Sequence, residues 1–155
     1  MITGDFTADV LLGSAPLEVT FTYTIIYGAV DHVLWVFGDG TEELGYNNTI
    51  SHTYSTYGTH TVLLKFYESS GGSVYVIKKA DYINLAKIDF SADVLKGPSP
   101  LTVQFTDTSI APSGHSLTNW EWDFGDGSDV STQQNPSHVY EIDGNFNVKL
   151  SADLA

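Results

Sequence analysis

Trp122-Asp123-Phe124-Gly125-Asp126-Gly127 decides the fold, because the chain carries the stretch twice: Trp35-Val36-Phe37-Gly38-Asp39-Gly40 stands 87 positions earlier. Two aromatics one residue apart, then a Gly-Asp-Gly reversal, describe a strand with one buried face that ends in a tight turn. If Trp and Phe point inward, Val36 and Asp123 point outward, as a charge must, since it is costly inside. Upstream of this stretch, Asp5-Phe6-Thr7-Ala8-Asp9-Val10-Leu11 matches Asp89-Phe90-Ser91-Ala92-Asp93-Val94-Leu95. That match continues through Gly13/Gly97, Pro16/Pro100, Leu17/Leu101, Val19/Val103 and Phe21/Phe105 at a constant offset of 84. Downstream, His52-Thr53-Tyr54 matches His138-Val139-Tyr140, and Gly58 matches Gly144, at an offset of 86. Small offset changes are what loop insertions between equivalent strands produce. The chain therefore reads as two copies of one unit of about 85 residues, 1–86 and 87–155. Their joint, Leu85-Ala86-Lys87, is short and has no Gly/Ser tract, which predicts a semi-rigid link.

Each copy reads as β. Leu17 to Tyr23, Thr61 to Tyr67 and Thr102 to Thr106 alternate apolar with polar residues and over-use β-branched and aromatic side chains. Val74 to Lys78 and Asp81 to Leu85 finish the first copy. Turn signals recur at Gly13-Ser14, Asp39-Gly40, Asn47-Asn48, Tyr57-Gly58 and Ser70-Gly71-Gly72, a spacing that predicts an antiparallel sandwich. No amphipathic helix is expected.

Composition narrows the function. The 155 residues hold no cysteine, so disulfides, zinc-thiolate sites and a cysteine nucleophile are excluded. Six lysines, no arginine and nineteen carboxylates give a net charge of −13, which argues against nucleic acid or an anionic membrane as partner. No apolar run approaches the ~20 residues that span a bilayer. Met1-Ile2-Thr3-Gly4-Asp5 has no basic start and no apolar core of an export signal. There is no Gly-x-Ser-x-Gly elbow, no His-Glu-x-x-His pair and no phosphate-binding glycine loop. A non-enzymatic chain is expected.

Trp122 to Gly127, followed by Asn135-Pro136-Ser137-His138-Val139-Tyr140 and Gly144-Asn145-Phe146-Asn147-Val148, resembles the signature of the polycystic kidney disease (PKD) domain. Pro100 to Asp107 matches that family as well. The first copy departs from it at Val36, where the family usually has Asp, and at His60, where an aromatic is usual. The resemblance implies an all-β chain of two tandem immunoglobulin-like sandwiches without catalytic activity. It also implies a setting in adhesins, surface layers, secreted accessory modules or phage particles.

One departure concerns the second copy. Ala155 aligns with Ser69, so the last strand of the first copy has no counterpart. A sandwich without it exposes an unpaired ladder edge and part of its core. Phe146, Val148 and Leu150 are the residues expected at this open edge, where another chain could add a strand, neighbouring subunits could cover it, or a truncated chain would leave the domain merely weakened.

Other candidates are weighed against plainer readings. Asp123, Asp126 and Asp129 could hold calcium, which wants six to eight oxygens. The plainer reading is a hairpin turn in which Asp and Gly both take positive φ, and no cofactor is expected. His52 and His138 hold equivalent places and read as half-buried imidazoles bonded to a loop carbonyl, whereas His32, His60 and His115 read as loop or face residues. Tyr27, Tyr46 and Tyr57 lie near turns and could form an exposed aromatic surface for sugar or protein. The expected function is a structural or adhesive surface module bound to neighbouring subunits. The absent export signal points to a phage virion protein of capsid-decoration or head-fibre type. The alternative is an adhesive, carbohydrate- or protein-binding piece of a larger secreted or cell-surface protein.

Overall fold

The computed structural model describes residues 2–69 and 75–155. The expected Ser70-Gly71-Gly72 turn and Val74 lie outside the described residues. Every regular element among those described is a β-strand, and the chain divides into two compact units, Met1–Leu85 and Ala86–Ala155.

The first unit is a sandwich of two sheets. Strands β1 (Thr3–Ala8), β3 (Leu17–Tyr27) and β6 (Thr49–Tyr54) form one sheet in the order β1-β3-β6. The other has the order β2-β8-β7-β4-β5, built from β2 (Leu12–Ser14), β4 (His32–Val36), β5 (Glu42–Gly45), β7 (Gly58–Tyr67) and β8 (Tyr75–Ala86). The short β2 includes Gly13-Ser14, which the composition marks as a turn. The Trp-x-Phe alternation points as expected, with Trp35 at 0% and Phe37 at 1% exposure and Val36 on the outer face. Trp35 packs at 5.2–5.3 Å from Phe6 and Phe21, so one aromatic from β4 ties β1 and β3 of the facing sheet to its own. Val33, Val62, Leu64, Phe66, Ile83 and Leu85 complete a core from which water is excluded.

The second unit repeats this plan with fewer strands. Strands β9 (Phe90–Ala92), β10 (Leu101–Asp107) and β12 (Ser137–Tyr140) form a sheet in the order β12-β10-β9. Strand β11 (Leu117–Asp123) pairs with β13 (Lys149–Leu154) in a two-stranded sheet. Trp122 and Phe124 again fill the centre, against Phe90 and Phe105. Among the described residues of the second unit no strand corresponds to β8.

The Gly-Asp-Gly reversals differ in detail from the expected two-residue turn. Gly38 and Gly40 take φ of +87° and +97°, and Gly125 and Gly127 take +76° and +80°, while the aspartate between each pair does not take positive φ. The left-handed backbone therefore rests on glycine alone, where it costs no Cβ clash. The aspartate is left free to use its side chain.

Candidate functional site

In the first unit β7 lies between β4 and β8. Its register with β8 pairs Gly58 with Leu85, His60 with Ile83, Val62 with Lys79 and Phe66 with Tyr75. Sealed this way, Val62, Leu64, Phe66, Ile83 and Leu85 are all at 0% exposure. Each such aliphatic is worth about 1.5–3 kcal/mol relative to leaving it in water.

The same edge is open in the second unit. Among the described residues β13 pairs with β11 alone, from Asp123 with Lys149 to Leu117 with Leu154. Residues 144–148, which correspond to the start of β7, form no strand because nothing offers them a ladder. An apolar groove of about 410 Å³ runs where the last strand would lie, lined by Phe90, Ala92, Val94, Leu101, Phe146 and Val148 among others. Phe146 and Val148 are half-buried and line it. Leu150 does not line it and instead packs on the core opposite Trp122. Phe146 stacks on Tyr140, with ring centres 4.4 Å apart and planes 17° from parallel, which turns its outer face to the groove. At the rim Leu95 is 88% and Ile142 68% exposed.

Sequence reasoning missed the opposite wall, Phe90, Ala92 and Val94, and the rim residues Leu95 and Ile142. The repeat offset held the signal. Phe6, Ala8 and Val10 are the equivalent wall of the first unit, and there β8 covers it: Tyr82 packs on Phe6 at 5.5 Å and its hydroxyl accepts the Ala8 N–H at 3.2 Å.

The aspartates of the two reversals fasten each sandwich. Asp126 Oδ2 accepts from His138 Nε2 at 2.7 Å, and Oδ1 accepts from the Ser128 backbone N–H and hydroxyl at 3.1 and 2.6 Å. His138 lies flat on Phe124, 4.0 Å away and 5° from parallel, and the Tyr140 hydroxyl donates to the Phe124 carbonyl at 3.1 Å. The first unit repeats each contact: Asp39 with His52 at 2.7 Å, Thr41 in place of Ser128, Phe37 under the ring, and Tyr54 donating to the Phe37 carbonyl. The histidine partner is thus a carboxylate and not the expected loop carbonyl, since the aspartate freed by the glycine backbone reaches it first. In each unit the hydroxyl's short bond goes to the aspartate, at 2.6 Å for Ser128 and 2.5 Å for Thr41, and the Thr41 hydroxyl also lies 3.4 Å from His52 Nε2. The Ser128 hydroxyl, with help from His138, outweighs partial burial and lowers the Asp126 carboxyl to about 2. At Asp39 burial pushes upward, but the Thr41 hydroxyl and His52 hold the group below its ordinary value.

The three candidate calcium ligands are used differently. Asp126 is committed to Ser128 and His138, and Asp123 accepts the Gly125 N–H at 2.9 Å and faces Lys149 at 3.6 Å. Among the described residues no group of three or more carboxylate or imidazole side chains is placed to share a cation, and Asp123, Asp126 and Asp129 do not converge.

The three tyrosines do not make one surface. Tyr27, Tyr46 and Tyr57 are 67%, 73% and 48% exposed. Tyr27 ends β3 and Tyr57 follows β6, whose Tyr54 pairs with Leu17 at the far end of β3, so the two are roughly 30 Å apart along the strand. Tyr46 lies toward the Tyr27 end, 6.2 Å from His32, which stacks on Tyr67 at 4.7 Å. His60 is a second correction: it is buried at 6% exposure on β7 and packs on Tyr54, 4.7 Å away, in the place Phe146 takes in the second unit.

The family model of the PKD domain matches residues 13–83 and again 92–155. The chain belongs to the PKD-domain family. Human polycystin-1 is 31% identical to it over 173 residues, an alignment that covers 95% of this chain and 4% of polycystin-1. A solved structure described as a carbohydrate-binding module of the β-sandwich superfamily covers 98% of this chain and 83% of its own, at 15% identity and a TM-score of 0.48. No helix among the described residues is long and apolar enough to cross a membrane.

Proposed function

We propose that this tandem PKD chain is a non-enzymatic structural and adhesive module that is held in place through the open edge of its second unit by a neighbouring protein. The single observation that carries this reading is the contrast between the two copies: β8 seals the first, whereas β13 of the second presents unpaired backbone beside an uncovered apolar groove. The setting that we propose is the surface of an assembly, such as a virion decoration or head-fibre subunit whose neighbours meet that edge. A second reading, an adhesive piece of a larger cell-surface or secreted protein that binds protein or glycan, is favoured by the identity to polycystin-1.

Hydrogen exchange on the full chain tests the reading. Amides of residues 144–148, which stand outside any ladder, should exchange fast in the isolated protein and slowly in the purified native particle or surface preparation. Equal protection in both would overturn it. Recovery of the chain with virions separates the first setting from the second, in which it copurifies with cell envelopes or binds immobilised glycans.

A further inference from the structure

The outer face of the larger sheet in the first unit is patterned to meet its own copy. We infer that two chains associate weakly and reversibly through this face, related by a two-fold axis that runs along the strands. This contact is separate from the open edge of the second unit and does not depend on it.

Side chains alternate across a sheet, so with Val33, Trp35, Val62, Leu64 and Phe66 turned into the core, their neighbours face outward. The registers set those outward residues in rows across β5, β4, β7 and β8. One row reads Glu42, Val36, Leu63, Lys78, and the next reads Leu44, Leu34, Lys65, Val76. In a third row His32 stacks on Tyr67, with Tyr46 6.2 Å from His32. Leu44 and Val76 are 52% and 45% exposed, while Leu34, Val36 and Leu63 are half-buried. The centre of the face is therefore an apolar patch without a cover. Its charge runs against the rest of the chain: Lys65 and Lys78 outnumber Glu42, whereas the whole chain carries −13. Among the described residues none of these three charges is used in an ion pair.

The order of residues within the rows selects the partner. A two-fold axis along the strands lays each row over the same row of a second copy, reversed end to end. Glu42 then meets Lys78 of the second copy, and Lys78 meets its Glu42. Val36 meets Leu63, and Leu44 meets Val76. Lys65 crosses Leu34, which covers its aliphatic stem while the ammonium reaches water. An axis across the strands would instead set Lys65 against Lys65, an unpaired like charge. A charge of −13 on each copy opposes association in general, and this face, with one positive charge in excess, does not add to it. The patch spans four strands about 4.8 Å apart and three rows about 7 Å apart, roughly 400 Å² per copy. A total of about 800 Å² lies below the ~1,200 Å² of stable interfaces. The pair is therefore weak in dilute solution and forms where copies are crowded, as on the surface of an assembly.

Sedimentation equilibrium of the full chain, from about 10 μM to about 1 mM at physiological salt, tests the contact. The average mass should rise with concentration toward that of two chains. Leu44→Glu, at an exposed position, should weaken association at least about tenfold. Glu42→Lys and Lys78→Glu each turn both cross-copy ion pairs into like-charge pairs and should each weaken it about fivefold. The double variant Glu42→Lys/Lys78→Glu should restore it. Within one copy the two charges stand three strand spacings apart, about 14 Å, so rescue reports a contact between copies. Unchanged unfolding midpoints in dilute solution show that the variants fold. A mass that stays at one chain over the whole range would overturn the inference. So would weakening by both single variants without rescue in the double, because the two-fold register would then be wrong. Association that survives Leu44→Glu, with new protection of amides 144–148, would place the contact at the open edge; it would overturn this inference and leave that reading standing.

Discussion

The two units start from nearly the same residues and end differently, and the difference isolates what a single strand contributes. Phe6 and Phe90 both rest on a tryptophan at 5.2 Å, yet Phe6 is at 1% exposure and Phe90 is half-buried. Val62 is fully buried and Val148 is not. Strand β7 runs ten residues, but β13 runs six, because the first residues of the equivalent segment have no ladder partner. The centre of the sandwich is thus set by the Trp-x-Phe strand and its facing sheet, while the order of the edge is borrowed from its neighbour.

The sharpest way to break the comparison is to open the first unit. Ile83→Ala and Leu85→Ala should each cost about 2–5 kcal/mol, the range for deleting a fully buried aliphatic. Leu95→Ala, at an 88% exposed position, should change stability by less than about 0.5 kcal/mol. Denaturant unfolding, read through native-state exchange of β7 and β10 amides separately, checks both. A small cost at Ile83 would mean that β8 is not what seals the sandwich.

Glycine substitutions probe rigidity. A Cβ at Gly38 would lie 2.3 Å from the Thr61 carbonyl oxygen, and one at Gly125 would lie 2.6 Å from that of Asn147. Both glycines also have positive φ, where a side chain is strained, so each alanine should cost about 1–3 kcal/mol. Thr61 is held between His60 and Val62, which pair with Ile83 and Lys79, whereas Asn147 stands outside any ladder and can yield. Gly38→Ala should therefore be the costlier change.

The buried tryptophans offer a finer contrast. Trp122 Nε1 donates to the Gln133 carbonyl at 2.9 Å, but the buried Trp35 Nε1 finds no partner. Trp122→Phe loses a bond and strands an acceptor, while Trp35→Phe removes an orphan donor. With similar ring area lost at both sites, the Trp122 change should be costlier by about 1 kcal/mol, measured in the same unfolding experiments.

Much of this was legible in the residues, because the information was local and repeated. A Trp-x-Phe strand before Gly-Asp-Gly needs no long-range knowledge to be read, and an offset of 84–87 places the equivalent strands of the second copy by subtraction. The pairing of Asp126 with His138 was not legible, since twelve residues separate them and only the packing of two sheets brings them to 2.7 Å. His60 was misread for the same reason: a polar residue on an alternating strand looks outward until its register with Ile83 puts it at the core face. The scatter of Tyr27, Tyr46 and Tyr57 follows from strand length, which nearness to turns does not reveal.

The aspartate–histidine fastening is where the copies agree most closely, so it should respond alike in both, and weakly. The Asp126 carboxyl sits at about 2, well below the 3.8 of an unconstrained aspartate, and Asp39 is shifted in the same direction. A carboxyl whose folded value is depressed adds stability that is complete above its unfolded value and disappears as pH falls through the folded one. The contribution is therefore whole above about pH 4 and fades between there and about 2. Asp126→Asn should flatten this acid limb for the second unit alone, and Asp39→Asn for the first, as followed by unit-resolved exchange across the pH series. If Asp126→Asn left the acid limb unchanged, the carboxylate would not be holding the reversal to the facing sheet. If both variants flattened both limbs, the two units would not unfold independently.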